Sequence, residues 1–185
     1  MIHSKTVVAA CAGILFSFGF NGFVTAAQTD STKQSSPENL TGIVHFMDSS
    51  TKEVCTLAVP ATTQVFDFSG NSHCENNKVA YFWFENVPSA TLIHLYENAA
   101  CSDAKTKGNY FIKLKTVKQP TTWSQTPERD KHISIDSLRD AKKGALLPGR
   151  YTRVEEDSWV GEDLEKENLN QRLSCVYIER SQPVN

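Results

Sequence analysis

Histidines, cysteines and a dense run of carboxylates are the residues of this 185-residue chain whose types can carry chemistry. His45, His73, His94 and His132 stand apart. None lies in the H-E-x-x-H spacing that sets two imidazoles on one helix face over a zinc ion. There is no G-x-S-x-G turn to expose a nucleophilic serine and no glycine-rich phosphate loop. His45 sits inside an apolar run and His94 directly precedes Leu95-Tyr96, which are the surroundings of structural imidazoles. Glu155, Glu156, Asp157, Glu162, Asp163, Glu165 and Glu167 supply enough carboxyl groups for a general acid–base pair. With only Lys166 among them, the run reads instead as a solvated face, anchored by Trp159. No residue is assigned a catalytic role, and the chain carries no cofactor motif.

The cysteines depend on the N-terminus. Residues 1–27 have the grammar of a secretory signal peptide: a basic Lys5, an apolar run over 7–24, and Thr25-Ala26-Ala27 before the polar Gln28. Two readings compete with it. Val8-Ala9-Ala10-Cys11 resembles a lipobox, but the apolar run continues past Cys11. An uncleaved anchor over 7–24 is weakened by Gly13, Gly19, Asn21 and Gly22. Cleavage after Ala26 or Ala27 removes Cys11 and any stable membrane anchor. It delivers the mature chain to an oxidising compartment, periplasmic or extracellular. Cys55, Cys74, Cys101 and Cys175 remain, an even set that predicts two disulfides. Four cysteines allow three pairings. Cys55–Cys74 with Cys101–Cys175 is preferred, because it makes the first bridge a local clip. A metal site using His73 and Cys74 lacks any C-x-x-C spacing.

Charge is unevenly distributed. Residues 28–104 hold 3 basic and 9 acidic groups, and residues 105–153 hold 12 basic and 4 acidic. The mature chain is nevertheless slightly acidic, which implies neither nucleic acid nor an anionic membrane as partner. The basic block is either neutralised by the acidic ones across the folded surface or meets an anionic partner.

The elements that position these residues read as strands. Residues 28–41 are polar and aperiodic, a disordered tail, and 181–185 form a second short tail. Between them, 42–180 form one β domain. Strands are predicted over 42–47, 54–59, 63–68, 78–84, 91–96, 110–115, 132–135, 149–154 and 174–178, punctuated by Gly, Pro, Asn and Ser. Helical pattern is confined to 136–143, capped by Asp136 or Ser137 and stopped by Gly144, and to a turn or two over 162–168. The expected fold is all-β: a Greek-key sandwich or barrel, stapled by disulfides, with one or two short helices. The strand over 78–84 is apolar on both faces. It is either a central strand or an aromatic partner-binding face.

An internal echo runs at an offset of 94. Asn76-Asn77-Lys78-Val79-Ala80-Tyr81 and Asn170-Gln171-Arg172-Leu173-Ser174-Cys175 each pair two amide side chains with a basic, an aliphatic and a small residue, then enter a strand. Each strand closes on a glutamate, Glu85 and Glu179. These segments resemble the Asn/Asp pair, two free positions and Ser/Thr-Ser that lead into the last strand of each Greek key in microbial βγ-crystallin-like domains. Leu95-Tyr96-Glu97-Asn98 and Tyr151 followed by Gly161 are similar to the aromatic corner of such keys. The resemblance covers about residues 42–179. It implies calcium through Asn170 and Ser174, although Ala80 and Gln171 depart from the pattern and neither pair holds a carboxylate.

The function expected from these features is that of an exported, non-enzymatic protein that binds a protein partner: an inhibitor, an immunity-type factor or a host-interaction (virulence) factor. Protease inhibitors among secreted βγ-crystallin-like proteins add the first by analogy. Tyr81, Trp83, His94 and Tyr96 are the expected partner face. The alternatives are an exported enzyme or toxin subunit acting on a glycan or peptide, and a subunit of an exported assembly. Mass spectrometry of the exported protein is expected to return an N-terminus at Ala27 or Gln28. An N-terminus at Met1 or Cys11 overturns the cleavage reading.

Overall fold

The computed structural model describes residues 41–70, 74–123, 132–147, 150–161, 164 and 166–180. The signal-like segment, most of the polar tail, His73, Glu162, Asp163, Glu165 and residues 181–185 lie outside the described residues. Among the described residues ten strands form: β1 (Ile43–Met47), β2 (Glu53–Ala58), β3 (Gln64–Asp67), β4 (Tyr81–Glu85), β5 (Thr91–Tyr96), β6 (Tyr110–Thr116), β7 (Ile133–Ser134), β8 (Leu146–Leu147), β9 (Thr152–Trp159) and β10 (Cys175–Arg180). They form two antiparallel sheets. Sheet one runs β2-β1-β4-β7 and sheet two runs β3-β10-β5-β6-β9-β8. The expected all-β fold is thus a sandwich of two sheets.

The order of the strands shows an exchange. β1, β2 and β4 stay in sheet one, while β3 crosses to pair with β10 in sheet two. β5, β6 and β10 stay in sheet two, while β7 crosses back to pair with β4. Each half of the chain is a Greek key that lends its third strand to the other's sheet. The β8–β9 hairpin extends sheet two beyond β6.

Strict alternation fills the space between the sheets. Val44, Phe46, Phe82 and Phe84 point inward from sheet one, and Ile93, Leu95, Ile112, Leu114, Val176 and Ile178 from sheet two, each fully buried. Trp123 plugs the layer, with its ring centroid 5.3 Å from that of Phe82 and 4.2 Å from that of Phe84. Its indole N–H donates to the Arg150 carbonyl at 2.7 Å, which satisfies the one polar atom that it brings into the core. Gly42 is required at the entry to β1, since a Cβ there would stand 2.6 Å from the Val87 Cα.

The internal echo has a structural counterpart. Asn77 and Gln171 both adopt positive φ, 56° and 66°. The Asn77 N–H donates to the Leu173 carbonyl at 3.3 Å and the Gln171 N–H to the Val79 carbonyl at 2.7 Å. Residues 77 and 79 stand to 171 and 173 at the same offset of 94, so the contact is reciprocal, as across a two-fold interface. The next residues repeat the relation. Ala80 N–H donates to the Met47 carbonyl at 2.8 Å, and Ser174 N–H to the Tyr96 carbonyl at 2.9 Å. Both amide-bearing turns therefore deliver the chain into the last strand of a key, β4 and β10.

Several boundaries differ from the sequence reading. The strand predicted over 78–84 starts at Tyr81, because Asn77 turns the backbone through the left-handed region. The strand predicted over 149–154 starts at Thr152 and continues to Trp159, taking in Glu155, Glu156 and Asp157. Those carboxylates are thus on a strand and not on a solvated loop, with Glu156 opposite Lys113. Trp159 stacks on Tyr110 at 5.2 Å. The helix expected over 136–143 is a 3₁₀ helix, Asp136–Asp140, ended by the extended Ala141. Its N-cap is Ile135, because the Asp136 carboxylate is used elsewhere, accepting the Leu169 N–H at 3.0 Å. Of the turn expected over 162–168, Leu164 and Lys166 are helical.

Both disulfides take the preferred pairing, Cys55–Cys74 and Cys101–Cys175. They close segments of 19 and 74 residues. On the loop-entropy account these bridges stabilise by about 3 and about 4.5 kcal/mol. In urea denaturation the Cys101→Ala/Cys175→Ala protein is expected to lose more stability than Cys55→Ala/Cys74→Ala. The reverse order would show that the local clip, and not the long-range bridge, holds the fold.

Candidate functional site

β1 and β4 are central in sheet one, so residues that alternate with their core positions form its outer face. His45 is there, opposite Trp83 in the β1–β4 register. The two rings stack at 3.7 Å with 11° between planes. His45 Nδ1 lies 2.7 Å from a Glu53 carboxylate oxygen on β2, and Nε2 lies 2.9 Å from one of Glu85 on β4. The imidazole thus ties three strands together. Because the carboxylates flank the ring on opposite sides, they do not converge on one point with it. Sequence reasoning placed His45 as structural, but its two carboxylate partners come from elements 8 and 40 residues away.

Sheet two repeats the constellation. His94 on β5 stands opposite Tyr177 on β10, stacked at 4.9 Å and 23°. Tyr177 donates to Glu179 at 2.7 Å. Trp83 and Glu85 correspond to Tyr177 and Glu179 at the same offset of 94. Here, however, a strap covers the face. Cys101, held at φ 50°, is bonded to Cys175. Tyr96, Phe111 and Cys175 pack beneath the strap. Asp103 from the strap receives Lys113 Nζ at 2.7 Å, and Glu156 receives it at 3.0 Å.

Titration behaviour follows from this packing. Burial first, and then the Lys113 cation, pull His94 down to about 4. Burial and then the Asp103 hydrogen bond push Tyr96 up. Burial opposes ionisation of Asp103, yet hydrogen bonds from Lys113 and Tyr96 hold it below the usual carboxylate value. The sheet-two face is a mutually satisfied ion network. His94 Nδ1 lies 3.2 Å from the Tyr96 hydroxyl and faces no free carboxylate at hydrogen-bond distance among the described residues.

The expected partner face is thereby divided. Tyr81 and Trp83 lie on the outer face of sheet one, and His94 and Tyr96 on that of sheet two, with the core between them. Trp83 is only 9% exposed beneath His45, and Tyr96 only 4% beneath the strap. Alternation indicates which residues share a face of one strand, but not which sheet the strand joins or what covers it.

The residues expected to hold calcium are engaged internally. Asn170 Oδ1 accepts from Ser134 Oγ at 2.9 Å and from the Asp136 N–H at 3.2 Å. Ser174 Oγ donates to Asn77 Oδ1 at 3.2 Å. A cation there would compete with these bonds. Among the described residues, no group of three or more His, Cys, Asp or Glu side chains is arranged to hold a metal ion. A shallow depression of about 310 Å³ opens between Asp48, Lys52, Glu53, Val54, Glu75 and Lys78, with its acids and bases interleaved.

One exposed surface went unseen in the sequence. Val117, Leu146 and Tyr151 are 44%, 58% and 48% exposed. Val117 N–H donates to the Tyr151 carbonyl at 2.9 Å, and Leu146 stands opposite Arg153, two residues along from Tyr151. They adjoin the buried Thr116, Leu147 and Thr152 at the β8 end of sheet two. Lys118 Nζ lies 4.3 Å over the Tyr151 ring. Tyr151 is held at φ 49°, a conformation that costs a non-glycine residue about 1–3 kcal/mol. The only signal in the sequence was the basic block over 105–153.

The depressed His94 value makes stability depend on pH. The ring titrates at about 4 when folded, against 6.5 when unfolded. Between those values the unfolded chain binds more protons, so the contribution is complete above pH 6.5 and is lost as pH falls toward 4. Urea denaturation across that window is expected to show a shallower acid loss for His94→Gln than for the parent. Parallel profiles would show that His94 does not titrate as placed.

No known protein family, curated protein or solved structure matches this chain.

Proposed function

We propose that this chain is an exported, non-enzymatic binding protein that engages a protein partner at the β8 end of sheet two. The observation that carries this reading is the exposure of Val117, Leu146 and Tyr151 on neighbouring segments at one end of the sheet. Apolar side chains exposed at one place favour an interaction site. The positive φ of Tyr151 supports it, because backbone strain concentrates where a side chain must be presented. The two disulfides fit an oxidising compartment, in keeping with the signal-like N-terminus. Two histidines that an enzymatic reading would recruit are engaged internally, His45 by carboxylates at both ring nitrogens and His94 by stacking on Tyr177 with Nδ1 beside the Tyr96 hydroxyl.

The βγ-crystallin-like reading is part of the proposal. The amide pairs lead into β4 and β10, the last strand of each Greek key, which is where the resemblance assigns them. In this reading the paired keys are a rigid scaffold, and the β8–β9 hairpin is an addition that carries the surface.

A photo-crosslinking residue in place of Tyr151 is expected to capture a protein partner in the native compartment, and one in place of the exposed Thr62 is not. Tyr151→Gly is expected to abolish capture by a crosslinker at Val117 while stability is kept or raised, since glycine adopts positive φ freely. Capture of a glycan would revive the enzymatic reading. Capture of a second copy of the chain, with a dimer in light scattering, would assign the surface to self-assembly.

A further inference from the structure

We infer that the surface around Tyr151 takes an acidic protein segment bearing an apolar or aromatic anchor; this rests on the binding reading above and specifies its partner. The charge pattern carries it. Lys113, Arg139, Arg153 and Arg172 each meet a carboxylate. Lys115, Lys118, Lys142 and Lys143 form no ion pair with a described carboxylate. Lys115 and Lys118 lie beside Arg153 and Tyr151, and Lys142 and Lys143 precede β8 at the end of the hairpin away from Tyr151. Lys115 stands opposite Arg153 in the β6–β9 register, and Lys118 covers Tyr151. Lys142 and Lys143 are exposed in the turn that enters β8, where Gly144 N–H donates to the Val154 carbonyl at 2.7 Å.

The acids near the patch are already committed. Glu155 is bound by Arg153 at 2.6 Å and Glu156 by Lys113 at 3.0 Å. The result is four lysines without an ion pair among the described carboxylates, set around a hairpin that carries exposed apolar side chains. Residues 151–154 of the hairpin span about 10 Å of strand, the reach of a short peptide. Carboxylates of a partner would pair with the lysines while one apolar side chain covers Val117, Tyr151 and Leu146.

A peptide segment fits better than an anionic bilayer. Glu155, Glu156 and Asp157 follow Arg153 along the same strand. A broad negative plane would approach those carboxylates together with the lysines, whereas a narrow segment can run from Lys118 at the Tyr151 end to Lys142 and Lys143 at the Val154 end. Lys142 and Lys143 also flank the short edge strand β8, where lysines discourage strand addition. That role by itself predicts no affinity for acidic peptides.

The mature chain is tested by fluorescence anisotropy against a labelled peptide of alternating glutamate and leucine, its lysine–leucine counterpart, and phosphatidylserine vesicles. The glutamate peptide is expected to bind and the lysine peptide is not. Lys118→Glu/Lys142→Glu/Lys143→Glu is expected to weaken binding at least tenfold. Raising ionic strength from about 0.01 to about 1 M, which shortens the Debye length from about 30 to about 3 Å, is expected to weaken it too. Tyr151→Gly should weaken it with no change in charge. Charge-insensitive binding, binding to vesicles alone, or self-association of the triple variant with unchanged peptide affinity would each overturn the inference. Sequencing the segment captured by the crosslinker at position 151 separates the two proposals. A captured segment without acidic residues defeats this inference and leaves the binding reading standing, whereas no capture defeats both.

Discussion

β3 hydrogen-bonds to β10 and β7 to β4, so neither half of the chain can complete its sheet without a strand from the other. The exchange is secured at one reciprocal contact, where the turns at Asn77 and Gln171 donate to each other's following segments. Everything else is built around that interlock. It places Phe82 and Phe84 of β4 against Trp123 in one shared core, and it makes β4 and β10 central strands buried on their inner faces. It also explains why Asn and Gln occupy the turns. Asn adopts the left-handed backbone that these bonds require more readily than most residues, and Gln171 is held in it as well.

The interlock sets up two outer faces with the same plan, a histidine on the first strand of each key stacked on an aromatic of the last. Their fates differ because their neighbours differ. On sheet one Glu53 and Glu85 clamp His45 from both sides, and the ring becomes a cross-strand tie. On sheet two Lys113 occupies the neighbouring position, Cys101 anchors a strap over the face, and His94 is driven toward its neutral form. Both faces are covered by the protein's own groups. Val117, Leu146 and Tyr151 are exposed at the periphery, around the β8–β9 hairpin.

The all-β class, most strand positions, the four-cysteine set and its pairing were legible, because each depends on spacing along the chain or on a short loop. Leu146–Leu147 was not legible as a strand, since two residues show no period. The acidic half of β9 is not legible as strand, because clustered carboxylates show no apolar alternation; Lys113, 43 residues earlier in the chain, pairs with Glu156 across the sheet. Tyr81, Trp83, His94 and Tyr96 were grouped by aromatic character, but period-2 alternation does not say which sheet receives a strand.

By itself the sequence determined that alternating apolar segments would pair into sheets and that Cys55 and Cys74 lay close enough to form a local clip. Both are local properties, in which a periodicity of two or a short loop leaves the backbone few choices. Only the tertiary structure decided that β3 and β7 trade sheets, that His45 meets Glu85, and that Val117, Leu146 and Tyr151 are exposed at the β8 end of sheet two. Those contacts depend on strand register and on the crossing between halves, and no local spacing encodes them.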